Sequence, residues 1–225
     1  GTRQLAQRYP KAQMVALDIA IAMLQTAHAR SGWWRKLFGG ARQRQVCGDV
    51  EALPLAANSV GMIWSNLALQ WCNDLPATFA ELHRVLKVDG LLMFSTFGPD
   101  TLKELRLAFN GVDSHNHLNR FTDMHDIGDM LTHRGFAEPV MDMEYITLTY
   151  DDVRGVLYDL KHIGAHNATA GRGTGMMGKH AWGRLVENYE RLRRDGRLPA
   201  TYEVVYGHAW KPQPRVTGDG ASIIQ

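Results

Sequence analysis

The sequence predicts an α/β fold: an open, mostly parallel sheet with helices on both faces. Three observations carry that prediction. Apolar runs of strand length, such as Met14 to Leu17, Gln43 to Cys47, Val60 to Ile63 and Leu91 to Thr96, alternate with stretches of helical periodicity. The first three of these runs lead into polar side chains at Asp18, Asp49 and Asn66. From Asp151 to about Pro199 the alternation gives way to two helices around a glycine-rich link, which predicts a small helical cap inserted before the last strand. Ligands bind at the carboxyl ends of strands in open α/β sheets, so the polar tips mark the expected site.

The most informative stretch is Val60 to Asn73. Its apolar run ends at Ser65-Asn66 and continues into a short amphipathic turn carrying Trp71, the pattern of a buried parallel strand. Asp74 then caps a helix with Pro76 in its first turn, and Leu75, Phe79, Leu82, Val85 and Leu86 recur at helical spacing. The helix is predicted to stop near Asp89-Gly90, where the strand Leu91 to Thr96 begins. One β-α-β unit results.

Composition narrows the function classes. The chain has 225 residues, 45% hydrophobic and 21% charged, with a formal net charge of +2. This suits a soluble globular protein with one elaborated α/β domain. Near-neutral charge and the lack of a recognised binding motif argue against nucleic acid. No apolar run approaches the roughly 20 residues of a membrane span, and no signal peptide opens the sequence, so a cytoplasmic location and no membrane partner are expected. Cys47 and Cys72 form no CxxC pair and are read as reduced, buried thiols. His115-Asn116-His117 offers two imidazoles without a third ligand nearby, so no metal is expected.

In chain order, Gly1 to Pro10 reads as the body of a helix with no strand or glycine-rich turn ahead of it, so a truncated front is expected. Met14 to Leu17 is a short buried strand ending in Asp18, and Ile21 to Arg30 is a helix with Met23, Leu24 and Ala27 on one side. Asp18 either accepts hydrogen bonds from ribose hydroxyls or caps that helix, and both readings stand. The stretch Ser31 to Gly40, with Trp33-Trp34, reads as a surface loop. Gly48-Asp49-Val50-Glu51 closes the next strand, so Asp18, Asp49 and Asn66 are expected along one edge of one sheet.

Beyond the central unit, Pro99 to Asn110 is a helix with Leu102, Leu105, Leu107 and Phe109 apolar. Thr122 caps another helix, with Ile127, Met130 and Leu131 inward and Gly135 at its end, and Glu144 to Tyr150 alternates as a strand. Helices follow near Asp151 to Ile163 and Lys179 to Arg194, and Thr201 to Trp210 is the last strand. The glycine-rich link has no preceding strand, so it is not a phosphate-cradling loop.

The run from Val15 to Thr96 resembles the class I S-adenosylmethionine-dependent methyltransferases, a Rossmann-like fold. That resemblance implies S-adenosylmethionine as cofactor, with Asp18 on the ribose, Ile19 flanking the adenine, Asp49 and Val50 meeting the adenine amino group, and Asn66 and Leu67 at the third tip of the site. The family's first strand and GxGxG loop are absent from this chain, and Gly1-Thr2 falls just beyond that loop.

Four further words, in order, resemble the biotin-synthesis malonyl-ACP O-methyltransferases: Ser65 to Cys72, Asn119-Arg120-Phe121, Leu160 to His166, and Leu198 to Glu203. The resemblance spans nearly the whole chain up to Pro212. It implies methyl transfer to the free carboxylate of a malonyl thioester, malonyl-ACP or malonyl-CoA, masking its charge so that fatty-acid elongation enzymes accept it as a biotin precursor. The expected division is a methyltransferase core over 1–150, a cap over 151–199, the last strand over 200–212 and a tail over 213–225.

A carboxylate with an ordinary pKa of about 4 is already ionised at neutral pH, so attack on a sulfonium methyl needs no general base. It needs the carboxylate held in line in a water-poor pocket, with its other oxygen anchored. Arginine suits that anchor, and Arg120 and Arg172 are the candidates. Lys161, His162 and His166 are candidates for polarising the thioester or contacting a phosphopantetheine arm. Lys179, Arg184, Arg191, Arg193, Arg194 and Arg197 offer a basic face to an acidic carrier protein. Two other readings are a methyltransferase-fold protein acting on a protein arginine, as in respiratory complex I assembly factors, and a non-catalytic binding module.

Overall fold

The protein is described by a computed structural model over residues 2–38, 43–112, 121–162 and 178–214. In order, the elements are α1 (Thr2–Arg8), β1 (Met14–Asp18), α2 (Ile21–Phe38), β2 (Gln43–Cys47), β3 (Val60–Asn66), a 3-10 turn at Leu69–Trp71, α3 (Leu75–Val85) and β4 (Leu86–Phe97). There follow α4 (Lys103–Phe109), α5 (Met124–His133), β5 (Ala137–Tyr150), α6 (Val153–His162), α7 (Lys179–Glu190) and β6 (Leu198–Trp210). Two compact units divide the chain: Gly1–Ser95 with Gly128–Val140 and Gly207–Gln225, and Thr96–Ile127 with Met141–Tyr206.

In the first unit, β1 and β2 pair in parallel from Met14 opposite Gln43 to Asp18 opposite Cys47. β3 and β4 also run parallel, with Asn66 opposite Ser95 and a register shift between Val60 and Met62. The expectation of one continuous sheet is corrected. β1 and β2 form a sheet of their own, and the other is ordered β3-β4-β6-β5. On β1, Val15 is 42% exposed rather than buried.

The helix α3 forms as its sequence dictates. The Asp74 carboxylate accepts from Ala77 N at 2.8 Å, Pro76 sits in the first turn, and Phe79, Leu82 and Val85 are buried. It ends at Val85, short of the Asp89-Gly90 stop that the sequence predicts. Its last carbonyls are taken from outside: Asn58 N donates to Arg84 O, Ser59 N to Val85 O, and the Lys211 ammonium to the carbonyls of His83 and Leu86 at 2.8 Å each. With those acceptors satisfied, Leu86 is free to enter β4 opposite Val60.

Trp33 and Trp34, expected in a surface loop, lie in a helix. The backbone is helical through Phe38, so this stretch is the end of α2 and not a loop. It contains no proline. Its single interior glycine costs only about 1 kcal/mol against alanine, and Arg35, Lys36 and Leu37 are good helix formers. Earlier in α2, Leu24 is buried while Met23 faces solvent.

Among the described residues of the second unit, an apolar core draws on α4, α6, α7 and β6, with Leu105, Val156, Leu185, Tyr189, Leu198 and Ala200 among its buried members. Helix α4 starts at Lys103 rather than Pro99, because Leu102 is left-handed at φ 57° and gives its N–H to Thr201 O at 2.6 Å. Of the apolar residues of this helix, Leu105 is buried and Leu107 is exposed. At the start of α5 the capping side chain is Asp123, accepting from His125 N at 2.8 Å, and not Thr122. Helix α7 ends at Glu190, β5 is longer than expected, and β6 begins at Leu198.

Candidate active site

Three strand tips of the first unit are laced together by hydrogen bonds. Gly48 N donates to Asp18 O at 3.2 Å and Cys47 Sγ to Ile19 O at 3.5 Å, joining the ends of β1 and β2. Cys47 is exposed, which corrects the expectation of a buried thiol; Cys72 is half-buried and both are free. Burial pushes the Cys72 thiol above its ordinary pKa.

One Asp18 carboxylate oxygen accepts from Ala20 N at 2.8 Å, which fixes the turn leading into α2 without capping a free N–H of the helix itself, and a carboxylate's second oxygen can accept a further donor. Ile19 beside it is 72% exposed, an apolar side chain placed in water where the sheet ends. The Asp49 carboxylate accepts from Glu51 N at 2.9 Å and its carbonyl from Ala52 N at 3.2 Å, a tight turn that leaves Asp49 exposed and Val50 half-buried.

Glu51, which the sequence reading gave no role, ties this turn to the third tip. Its carboxylate accepts from Asn73 N and from Asp74 N, the latter at 3.2 Å. The loop is fastened further on: Leu53 N donates to Glu81, and the Arg84 guanidinium donates to Leu53 O, Leu55 O and Glu81. The Arg84 hydrogen bond holds the Glu81 carboxyl below its usual range.

At the third tip, Leu67 is left-handed at φ 48°, an uncommon conformation for a non-glycine residue. Such strain is of order 1–3 kcal/mol and persists only where the surroundings fix it. Leu67 N donates to Ser95 O at 3.0 Å and Ser95 Oγ at 3.2 Å, Ser95 Oγ donates to Asn66 Oδ1 at 2.9 Å, and Gln70 Nε2 donates to Leu67 O at 2.7 Å. Ser95 and Gln70 thus hold the third tip in place, and the sequence reading gave neither a role. A serine in an apolar strand opposite an asparagine was the available signal.

The remaining candidates fall differently. Arg120, Arg172 and His166 lie outside the described residues, as do His115 and His117. Lys161 is exposed near the end of α6, whose last residue is His162. The basic face beside α7 is largely matched by its own neighbours: Arg191 pairs with Glu187 and Arg193 with Glu190, at 2.7 Å each, and Arg197 pairs with Asp151. Arg184 donates to Val112 O. No group of metal-ligating side chains occurs among the described residues, and no described helix is long and apolar enough to cross a membrane.

The donor set at the tips fits an adenosine. Two carboxylates, Asp18 and Asp49, stand as hydrogen-bond acceptors at neighbouring strand ends, with exposed Ile19 and half-buried Val50 as apolar neighbours.

A family pattern described as a methyltransferase domain matches residues 1–94. The YcgJ protein from Bacillus subtilis shares the fold at a TM-score of 0.60 and 15% identity, over 89% of this chain and 83% of its own. Phosphoethanolamine N-methyltransferase 2 of Haemonchus contortus, solved with S-adenosyl-L-methionine, shares it at 0.52 and 17% identity, over 94% of this chain and 46% of its own. The fold is therefore the Rossmann-like class I methyltransferase fold that the sequence predicts. A malonyl-(acyl-carrier protein) O-methyltransferase from Gallionella capsiferriformans is 77% identical over 225 residues, all of this chain and 78% of that protein, and on this likeness the chain belongs to the malonyl-(acyl-carrier protein) O-methyltransferase family.

Proposed function

We propose that this protein methylates the free carboxylate of malonyl-ACP with S-adenosylmethionine as donor, making the ester that lets a malonyl unit enter biotin synthesis. The observation that carries the reading is the 77% identity to a malonyl-(acyl-carrier protein) O-methyltransferase along the whole chain. The laced tips of β1, β2 and β3 support it. Asp18 and Ile19 would take the ribose and adenine, Asp49 and Val50 the adenine edge, and Asn66 and Leu67 the third side.

S-adenosylmethionine, when bound, supplies an electrophilic methyl on sulfur, so the new oxygen–carbon bond forms as the carbon–sulfur bond breaks. The chain's own work is positioning. Arg120 and Arg172 are proposed to anchor the acceptor, with His166 and Lys161 near its thioester and arm. The helices α6 and α7, within the 151–199 segment, would keep water from the carboxylate. Mass spectrometry of malonyl-ACP after incubation tests this: the product gains one methyl group, released as methanol by mild base, whereas methylation of an added protein in its place would contradict it.

A further inference from the structure

Beyond the strand tips, the second unit holds a cluster that the adenosine site does not use. Lys103, the first residue of α4, places Nζ 3.2 Å from Asp100 Oδ2. Tyr145, on β5, donates its hydroxyl to the same Oδ2 at 3.4 Å. The ammonium also lies over the phenol ring, 4.9 Å from its centroid. Two donors from different elements therefore converge on one carboxylate oxygen.

The carboxylate they share belongs to a side chain that can leave. Asp100 is fixed through its backbone: its N–H donates to the Glu203 carboxylate at 2.7 Å, and Glu203 is only 4% exposed. Around it, Gly98 N and the Thr101 hydroxyl donate to Glu203 O at 2.9 and 3.1 Å. None of these bonds uses the Asp100 side chain. That side chain and Lys103 are about half exposed, at 47% and 44%. The turn also follows directly on the carboxyl end of β4, the edge at which open α/β sheets take their ligands.

We infer that Lys103 and Tyr145 are the recognition pair for the acceptor's free carboxylate, and that Asp100 is an internal stand-in which the acceptor displaces. The inference rests on the malonyl reading above and deepens it by assigning the acceptor's charged end. A cation and a hydroxyl converging on one oxygen suit a carboxylate, which makes charge-assisted hydrogen bonds to both. An acetyl thioester has nothing to offer them. A carboxylate has about four lone-pair sites, so the pair is compatible with an arginine on the other oxygen. An exchange of one carboxylate for another keeps Lys103 neutralised throughout.

The sign of one substitution separates this role from a structural ion pair. Steady-state kinetics with the full-length protein and malonyl-ACP should show Lys103→Met raising KM roughly tenfold, the loss of about one charged hydrogen bond. Tyr145→Phe should raise it severalfold. Asp100→Asn should lower KM, because the competing carboxylate is gone. The affinity for S-adenosylmethionine should be unchanged in all three. If Asp100→Asn raises KM as Lys103→Met does, or if Lys103→Met and Tyr145→Phe leave it unmoved, the pair is structural and the inference falls. If the unsubstituted protein transfers no methyl to malonyl-ACP, the functional reading itself fails.

Discussion

The Ser95 hydroxyl donates to the Asn66 side-chain oxygen at 2.9 Å, and these two residues are direct partners across the β3–β4 ladder. The same hydroxyl oxygen accepts from Leu67 N at 3.2 Å, so one side chain holds both the polar tip and the left-handed residue after it. Ser95→Ala should lower stability by about 1 kcal/mol and weaken S-adenosylmethionine binding severalfold. Denaturation and calorimetric titration read the two effects separately. Unchanged cofactor affinity would show that this tip lies outside the cofactor site.

Asp18 fixes the turn into α2 and is proposed to hold the ribose, and substitution separates the two. Asparagine keeps an oxygen for Ala20 N, so Asp18→Asn should fold with nearly full stability and still bind the cofactor weakly. Asp18→Ala loses the Ala20 hydrogen bond as well, about 1 kcal/mol, together with roughly 1.5–3 kcal/mol of cofactor binding. Normal binding by both variants would leave Asp18 as a turn-forming residue alone.

Gly98 sits where no side chain fits. A Cβ there would lie 2.3 Å from Glu203 Cδ, and Glu203 is held by the turn it organises. Gly98→Ala should therefore destabilise the protein by about 1–3 kcal/mol, measured by thermal melting. Full stability in this variant would mean that Glu203 can move aside, and that the turn around Asp100 is not fixed by it.

His83 makes stability depend on pH. Burial, and then the positive charge of Lys211, holds its imidazole below the ordinary value of 6.5. The unfolded chain then binds the proton more readily than the folded one, so the contribution is fully present above about 6.5 and is lost as pH falls below it. His83→Gln should flatten the slope of stability against pH on the acid side. An equal slope in both proteins would place the dependence on other groups.

Much of the fold was legible because its determinants are local. The Asp74 cap with Pro76, the apolar face of α3 and the polar end of β3 all lie within a few residues of what they determine. The end of α3 was not, since the ammonium that satisfies its last carbonyls comes from Lys211, far along the chain. The helix through Trp33-Trp34 was missed because aromatics and a glycine imitate a loop when helix formers follow them. At the site, the acidic tips were readable as residue types at strand ends. Glu51 and Ser95 act through partners more than twenty residues away, which no spacing rule reveals.

The most direct measurement counts methyl label transferred from S-adenosylmethionine by the full-length protein to malonyl-ACP and to acetyl-ACP. These acceptors differ only in the free carboxylate, so label is expected in the malonyl thioester and none in the acetyl one. Equal labelling of both, or label in neither while the cofactor still binds, would contradict carboxyl methylation.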